Sequence, residues 1–487
     1  MKKYIGTIFI SSMASFVICL ICKDRIDPSF SLVVIYPIIY GFFSMLLCNM
    51  LGKQRGGGRV TVSIFLVLQW LRNVLFPAAA AISGYLRIDG KLFDAGSASL
   101  ASSICLYELV VTMMLCFFVL QFSKKKDTDW EFDYTLSGSK PVYWIYIVFA
   151  FALFLWRGRD MYSFLKLDLT GVNVSVSDDS ANALLRTMIG YGLTFSVICI
   201  VNHLYVRYKD TGSRTYVWCC LVICLLRLCI ISSDSSSRIA VIYSLGTFLL
   251  VLPRMFPRYK SVILLNLAIV SSVIIGMLTV YKLFNAFLYS SYSEAVIKHS
   301  DDMNAWSIAS QINVNFYGVQ NVARNLFVSK RLDLSAGNYL ADVVQNIFGL
   351  KYLFRSNTLT TTAAYNMYIY DGRAVSGHLF SSIAHGAVYY SYLLCPLETV
   401  INILAGVFIE NRLNMIKKLD SFFILCSVYI RGVMTMFACF PMALNYSSRT
   451  LAVGFLIIGF AALFARRGSA KEFAGYRRMD RYGGVKR

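Results

Sequence analysis

Three arginines stand in short polar turns at the ends of apolar runs: Arg159 in Trp156-Arg-Gly-Arg-Asp160, Arg238 in Ser232-Ser-Asp-Ser-Ser-Ser-Arg238, and Arg449 in Tyr446-Ser-Ser-Arg-Thr450. A guanidinium offers a rigid fork of donors that matches phosphate oxygens, and neighbouring hydroxyls add more. Three such groups at one depth suit a pyrophosphate. The plainer alternative is an arginine that snorkels to the headgroup level from a helix end. Arg227, about one helical turn from the same end of its run, joins Arg238 as a binding candidate, and Arg373 in a long polar segment is another. Proton transfer needs a carboxylate or an imidazole. Asp234, His378 and His385 are the catalytic candidates, with Asp160 and Asp371 beside them. His378 and His385 are seven residues apart and share a face if that stretch is helical. Each also reads as a satisfied interfacial side chain. No metal-ligand spacing is evident and no P-loop or dinucleotide fingerprint occurs, so neither metal nor cofactor is expected.

A second set of charges lies deeper in apolar runs, where an ionised group is costly. Arg72 and Glu108 fall on consecutive runs at about 21 and 14 Å from one end, taking 1.5 Å of rise per residue. That places them within reach of a buried structural ion pair. Arg431 is deep in its run with no partner evident in the sequence.

The elements that must carry these residues are read from composition. Of 487 residues 57% are hydrophobic and 15% charged, too little polar surface to clothe a water-soluble globule. Twelve apolar runs recur near 4–22, 30–51, 61–86, 99–122, 142–156, 187–206, 216–231, 239–253, 261–281, 387–409, 421–440 and 450–465. Such lengths suit transmembrane helices, and the alternating short strands of a barrel are missing. The expectation is an all-α polytopic membrane bundle of about twelve spans. Its blocks are membrane helices over 1–281, a large external loop over 282–386, three further spans over 387–465 and a basic cytoplasmic tail over 466–487. With the N-terminus cytoplasmic, the inside segments hold 26 of the 47 Lys and Arg, as the positive-inside rule requires, and both termini face the cytoplasm.

The net charge of +21 sits largely in juxtamembrane loops and the tail, which points to lipid headgroups and away from nucleic acid. The first apolar run reads as a signal anchor without a cleavage site. All thirteen cysteines fall in apolar runs and imply no disulfide framework, and Cys19 with Cys22 forms a lone C-x-x-C without further metal ligands. Within the large loop Leu340, Val343, Val344, Ile347, Phe348 and Phe354 recur at helical spacing, with Asp342 and Lys351 off that face. This predicts an amphipathic helix lying on the outer membrane surface, or packed within a small external domain. No internal repeat relates the two halves of the chain.

The many-helix layout, the large late external loop, the Ser-rich turn ending in Arg238, and Gly377-His-Leu-Phe-Ser-Ser-Ile-Ala-His-Gly386 followed by Tyr389, Tyr390 and Tyr392 resemble a bacterial Wzy-type oligosaccharide repeat-unit polymerase of O-antigen or capsule synthesis. The sequence departs from that family in lacking the arginine, ten residues, glycine motif of some members. The first external segment, Lys23-Asp-Arg-Ile-Asp27, also lacks the D-x-D of metal-using sugar transferases. What the resemblance implies is transfer of an undecaprenyl-pyrophosphate-linked glycan to the terminal hydroxyl of a new lipid-linked repeat unit, on the external face of the bacterial cytoplasmic membrane. The partners implied are that lipid-linked oligosaccharide, membrane lipids, a chain-length regulator and a flippase. Two rivals share these features in part: an O-antigen ligase with the same donor, and a lipid-linked oligosaccharide flippase or other transporter. A lopsided external loop argues against the transporter.

Overall fold

A computed structural model describes residues 2–53, 57–88, 90, 92–123, 134–158, 180–235, 238–287, 304–350, 359–369 and 380–482. Among them every named element is helical and no strand occurs, in keeping with the all-α expectation. Among the described residues six helices are long and apolar enough to cross a membrane: Pro28–Lys53, Arg59–Ser83, Ala95–Phe122, Leu184–Thr211, Pro257–Ile274 and Phe440–Ala465. Shorter apolar helices cover Gly6–Ile21, Lys140–Trp156 and Ala240–Met255. Their outward faces carry large apolar side chains such as Phe42, Ile145 and Leu456, a surface that hydrocarbon solvates better than water.

Two of the twelve apolar runs are interrupted. Residues 387–409 form no single span: one helix, Ser382–Tyr389, ends there and a second, Leu397–Leu413, begins after a turn. Ser391 at φ 121° cannot continue a helix, and Pro396 removes a donor immediately before the second one. The run at 421–440 likewise ends its helix, Leu419–Met434, and the next starts at Phe440. The amphipathic helix expected to reach Phe354 spans only Ala336–Asn346, where Ile347 turns extended and Gly349 takes φ 97°. Two positions also depart from the expected face: Asp342 is 3% exposed and Leu340 63%, while Val343 and Val344 are half-buried. A period of apolar residues cannot register that Asp342 has hydrogen-bond donors waiting inside.

The chain divides into two compact units built from interleaved stretches. The first comprises Met1–Asp129, His299–Asn414 and Arg431–Arg449; the second comprises Trp130–Lys298, Met415–Ile430 and Thr450–Arg487. In the first, helix Ala305–Asn315 packs on Phe76–Ser83, and Val319–Ser329 packs on Ala95–Phe122. Phe30, Phe76, Tyr85, Phe93, Leu326 and Phe380 belong to the shared apolar core. Helix starts are fixed by side-chain caps that satisfy otherwise orphaned N–H groups. The Asp94 carboxylate accepts from Ser97 N at 2.7 Å, Asn304 from Ser307 N at 3.0 Å, and Ser335 forms a reciprocal capping box with Asn338. Helix Arg59–Trp70 is capped from afar: buried Glu410 accepts from Val60 N at 3.0 Å and from Thr61 N at 2.8 Å. A carboxylate at that end also complements the helix dipole.

In the second unit, helix Lys140–Leu153 lies against Ser180–Thr211. Gly192 permits their close approach, since a Cβ there would come within 2.2 Å of Ala150 Cβ. Buried Asp420 accepts from Ser137 N, Ser137 Oγ and Tyr143 OH, each at 2.7 Å, which pins the segment before Lys140 to helix Leu419–Met434.

Candidate functional site

Three acid–base side chains meet in the first unit. Helix Ser382–Tyr389 supplies His385, helix Ala336–Asn346 supplies Asp342, and helix Leu397–Leu413 supplies Glu398. His385 Nδ1 contacts Glu398 Oε1 at 2.6 Å, and Nε2 contacts Asp342 Oδ2 at 3.3 Å. All three are buried. The remaining carboxylate oxygens are used as well: Asp342 Oδ1 accepts from Thr361 N at 2.7 Å, and Glu398 Oε2 accepts from Phe440 N at 3.0 Å. Glu398 therefore sits at the N-terminus of helix Phe440–Tyr482, where exposed N–H groups favour negative charge.

Local structure explains why the histidine helix is held so firmly. Ser381 caps it, accepting from Ala384 N at 3.3 Å, while Asn325 Oδ1 accepts from both Ser381 N and Ser381 Oγ at 3.0 Å. A short antiparallel bridge joins Ser381 to Ala438, with Ser382 N donating to Phe437 O at 2.8 Å and Cys439 N to Phe380 O at 3.1 Å. Asn402 Nδ2 donates to Met436 O at 3.0 Å from the other side. The turn before Phe440 is thus a fixed strut between the helices of His385 and Glu398.

Tyrosines form the edge of the cluster. The Tyr389 ring lies 4.8 Å from the imidazole and that of Tyr339 5.7 Å, while the hydroxyls of Tyr390 and Tyr339 are hydrogen-bonded to each other. Tyr339, Tyr389 and Tyr390 are half-buried, so the cluster approaches the surface on their side. The Tyr389 hydroxyl also meets Thr361 Oγ1 at 2.6 Å.

Burial opposes a charge on His385, but the hydrogen bonds and negative charges of Asp342 and Glu398 outweigh it and raise the ring to about 9. The imidazole is therefore protonated at neutral pH. In that state it cannot take a further proton. It serves as a cationic donor that orients two carboxylates, Glu398 by the closer contact and Asp342 by the looser one.

Of the residues singled out from sequence, His385 lies at the centre of this cluster. Arg159, Arg373 and His378 fall outside the described residues, as do Asp160 and Asp371. Asp234 lies in the last turn of helix Arg214–Ser235 and Arg238 opens helix Arg238–Met255, both in the second unit. Arg227 Nη2 donates to Gly190 O at 3.3 Å and Thr194 Oγ1 at 3.2 Å, joining helix Arg214–Ser235 to Ser180–Thr211. Arg449 is half-buried on helix Phe440–Tyr482 and belongs to the first unit. Arg72 and Glu108 form the ion pair expected of them, at 2.6 Å. Arg431 finds a partner after all, its guanidinium 5.8 Å from the Tyr446 ring centre.

Asp342 and Glu398 were missed. Glu398 was readable as a carboxylate inside an apolar run, the same signal that singled out Glu108. Asp342 had no such mark. No family model, no curated protein and no solved structure matches the chain.

Proposed function

We propose that this chain is a membrane glycosyltransferase that polymerises polyprenyl-pyrophosphate-linked oligosaccharide repeat units, a Wzy-type polymerase of surface polysaccharide synthesis. The observation that carries the reading is the buried Asp342–His385–Glu398 cluster, an acid–base centre where the sequence brings a long polar segment back to an apolar one. The terminal hydroxyl of the incoming repeat unit attacks the anomeric carbon of the donor glycan. Its proton passes to Asp342, and the bond to the pyrophosphate oxygen breaks with its electron pair leaving on polyprenyl pyrophosphate. His385 holds Asp342 in line. Arg159, Arg238 and Arg449 are the cations that the sequence offers to a pyrophosphate. The donor's own pyrophosphate-linked sugar supplies the energy, so no nucleotide is required.

In this reading twelve spans, with helix Leu397–Leu413 standing for the interrupted 387–409 run, place both termini and Lys124 in the cytoplasm of a bacterium and the segment around Ser335 outside. Undecaprenyl pyrophosphate is the proposed carrier, with a flippase and a chain-length regulator as neighbours. A second reading, a proton-coupled transporter of lipid-linked oligosaccharide, is favoured by one observation: buried ionisable groups connected by hydrogen bonds are also the apparatus of proton relays. Deletion of the gene separates these. Single repeat units on the core indicate a lost polymerase, polymer stranded on undecaprenyl pyrophosphate a lost ligase, and repeat units facing the cytoplasm a lost flippase. With purified protein and lipid-linked repeat units, Asp342→Asn is expected to abolish the glycan ladder. Arg238→Lys is expected to shorten it strongly, because lysine keeps the charge but not the fork. A full ladder from Asp342→Asn would sink the proposed chemistry.

A further inference from the structure

We propose that Glu108 is a positioning residue for His385 and Glu398, acting through the hydroxyls of Thr399 and Ser382; the proposal rests on the acid–base role assigned to that cluster. Glu108 lies on helix Ala95–Phe122 and is fully buried. One carboxylate oxygen, Oε2, is held by Arg72 Nη1 at 2.6 Å. The other, Oε1, accepts from Thr399 Oγ1 and is 3.5 Å from Ser382 Oγ, and these two hydroxyls are themselves 2.7 Å apart.

The positions of the two hydroxyls matter more than their number. Thr399 follows Glu398 directly, and Ser382 lies three residues before His385 on the same helical face. A single carboxylate therefore grips both helices that bring the imidazole and its closer carboxylate together. An ion pair serving only to neutralise Arg72 has no need of either hydroxyl. Arg72 itself is set by a π-helical turn, Leu71–Leu75, that interrupts the long apolar helix, and its guanidinium lies 4.7 Å from the Phe437 ring centre and 3.5 Å from Cys105 Sγ. Such turns are frequent at functional sites. Phe437 in turn belongs to the strut that binds Ser382 N.

The groups that face His385 are Asp342 and Tyr339 from helix Ala336–Asn346, Glu398 from helix Leu397–Leu413, and Tyr389 and Tyr390 from its own segment. Cys439 lies beside the two carboxylates, and Arg72 with Glu108 stands behind Ser382 and Thr399. Arg72 and Glu108 cancel in charge. Cutting the hydroxyl links therefore changes the geometry at His385 without changing the net charge around it.

The test uses the full-length protein in detergent or nanodiscs with labelled imidazoles, whose titrations are followed by NMR. The chain has 4 histidines, so His385 is assigned by its loss in His385→Gln. In the Ser382→Ala, Thr399→Val double variant the midpoint of His385 is expected to fall by about one pH unit, because a loosened Glu398 hydrogen bond stabilises the imidazolium less. The basic limb of the polymerisation profile should move with it. Thr399→Ser, which keeps the hydroxyl, should retain the wild-type midpoint. An unchanged midpoint in the double variant overturns the proposal, as does an equal fall in Thr399→Ser, which would assign the effect to volume. A lowered midpoint in the double variant, together with a wild-type protein that makes no polymer, would leave the positioning role standing and remove the polymerase reading instead.

Discussion

His385 shares its ring protons with two carboxylates, so the cluster carries one net negative charge while the ring is protonated. An isolated imidazole at neutral pH loses its proton easily; this one is held to about 9 by Asp342 and Glu398. Because the folded value lies above the unfolded one near 6.5, the stabilisation is fully present below about 6.5 and is lost as pH rises through about 9, and it is on the order of 3 kcal/mol. Activity follows the same sign if Asp342 is the proton acceptor and His385 its cationic support. The rate is expected to fall as pH rises through about 9. A neutral imidazole acting as the base would make the rate rise over that range instead. His385→Gln should cost about a hundredfold or more in rate and abolish the basic limb, measured as ladder formation against pH at matched protein level. A retained basic limb in that variant would assign the titration to another group.

At the scale of elements, the site depends on two short helices meeting across a turn that no apolar pattern announces. Gly386, next to His385, lies against that turn: a Cβ there would stand 2.3 Å from Cys395 O and 2.9 Å from Cys395 Cα, and backbone cannot yield as a flexible side chain can. Gly386→Ala should therefore push the His385 helix off the segment leading to Glu398 and cost about 1 to 3 kcal/mol of stability, read as a lower melting temperature in detergent. Gly459→Ala is the control, since nothing lies within 4 Å of its Cβ and alanine favours a helix interior. Equal melting temperatures for the two variants would mean that the contact is not maintained in solution. The same turn marks where the sequence stopped being legible. The Arg72–Glu108 pair could be read because consecutive helices bring residues of similar depth together. The 387–409 run looked continuous because its apolar content does not record Ser391 or the reach of Glu398. Asp342 falls off the apolar face because periodicity weighs only apolar residues, whereas its inward position is decided by Thr361 N and His385.

At the scale of the whole molecule, composition told more than any motif: the long apolar helices among the described residues follow from a chain too poor in charge to be wetted. Sidedness follows from a different quantity, the distribution of Lys and Arg among short loops, and one miscounted helix would invert every loop after it. That makes the side of the Asp342 helix the most consequential prediction of topology, because the proposed reaction requires that cluster to face outward. Asp333 is the residue to label. It is exposed, it precedes helix Ala336–Asn346, and it lies outside the Ser335–Asn338 capping box, so Asp333→Cys leaves the helix start intact. None of the thirteen native cysteines is in a disulfide, so their thiols must first be replaced, the buried ones by residues of similar volume. In spheroplasts an impermeant maleimide is expected to label Asp333→Cys at once and Lys124→Cys only after the membrane is permeabilised. The reverse pattern would place the Asp342 helix in the cytoplasm, where a flipped lipid-linked glycan cannot meet it, and the polymerase reading would fall together with the twelve-span count.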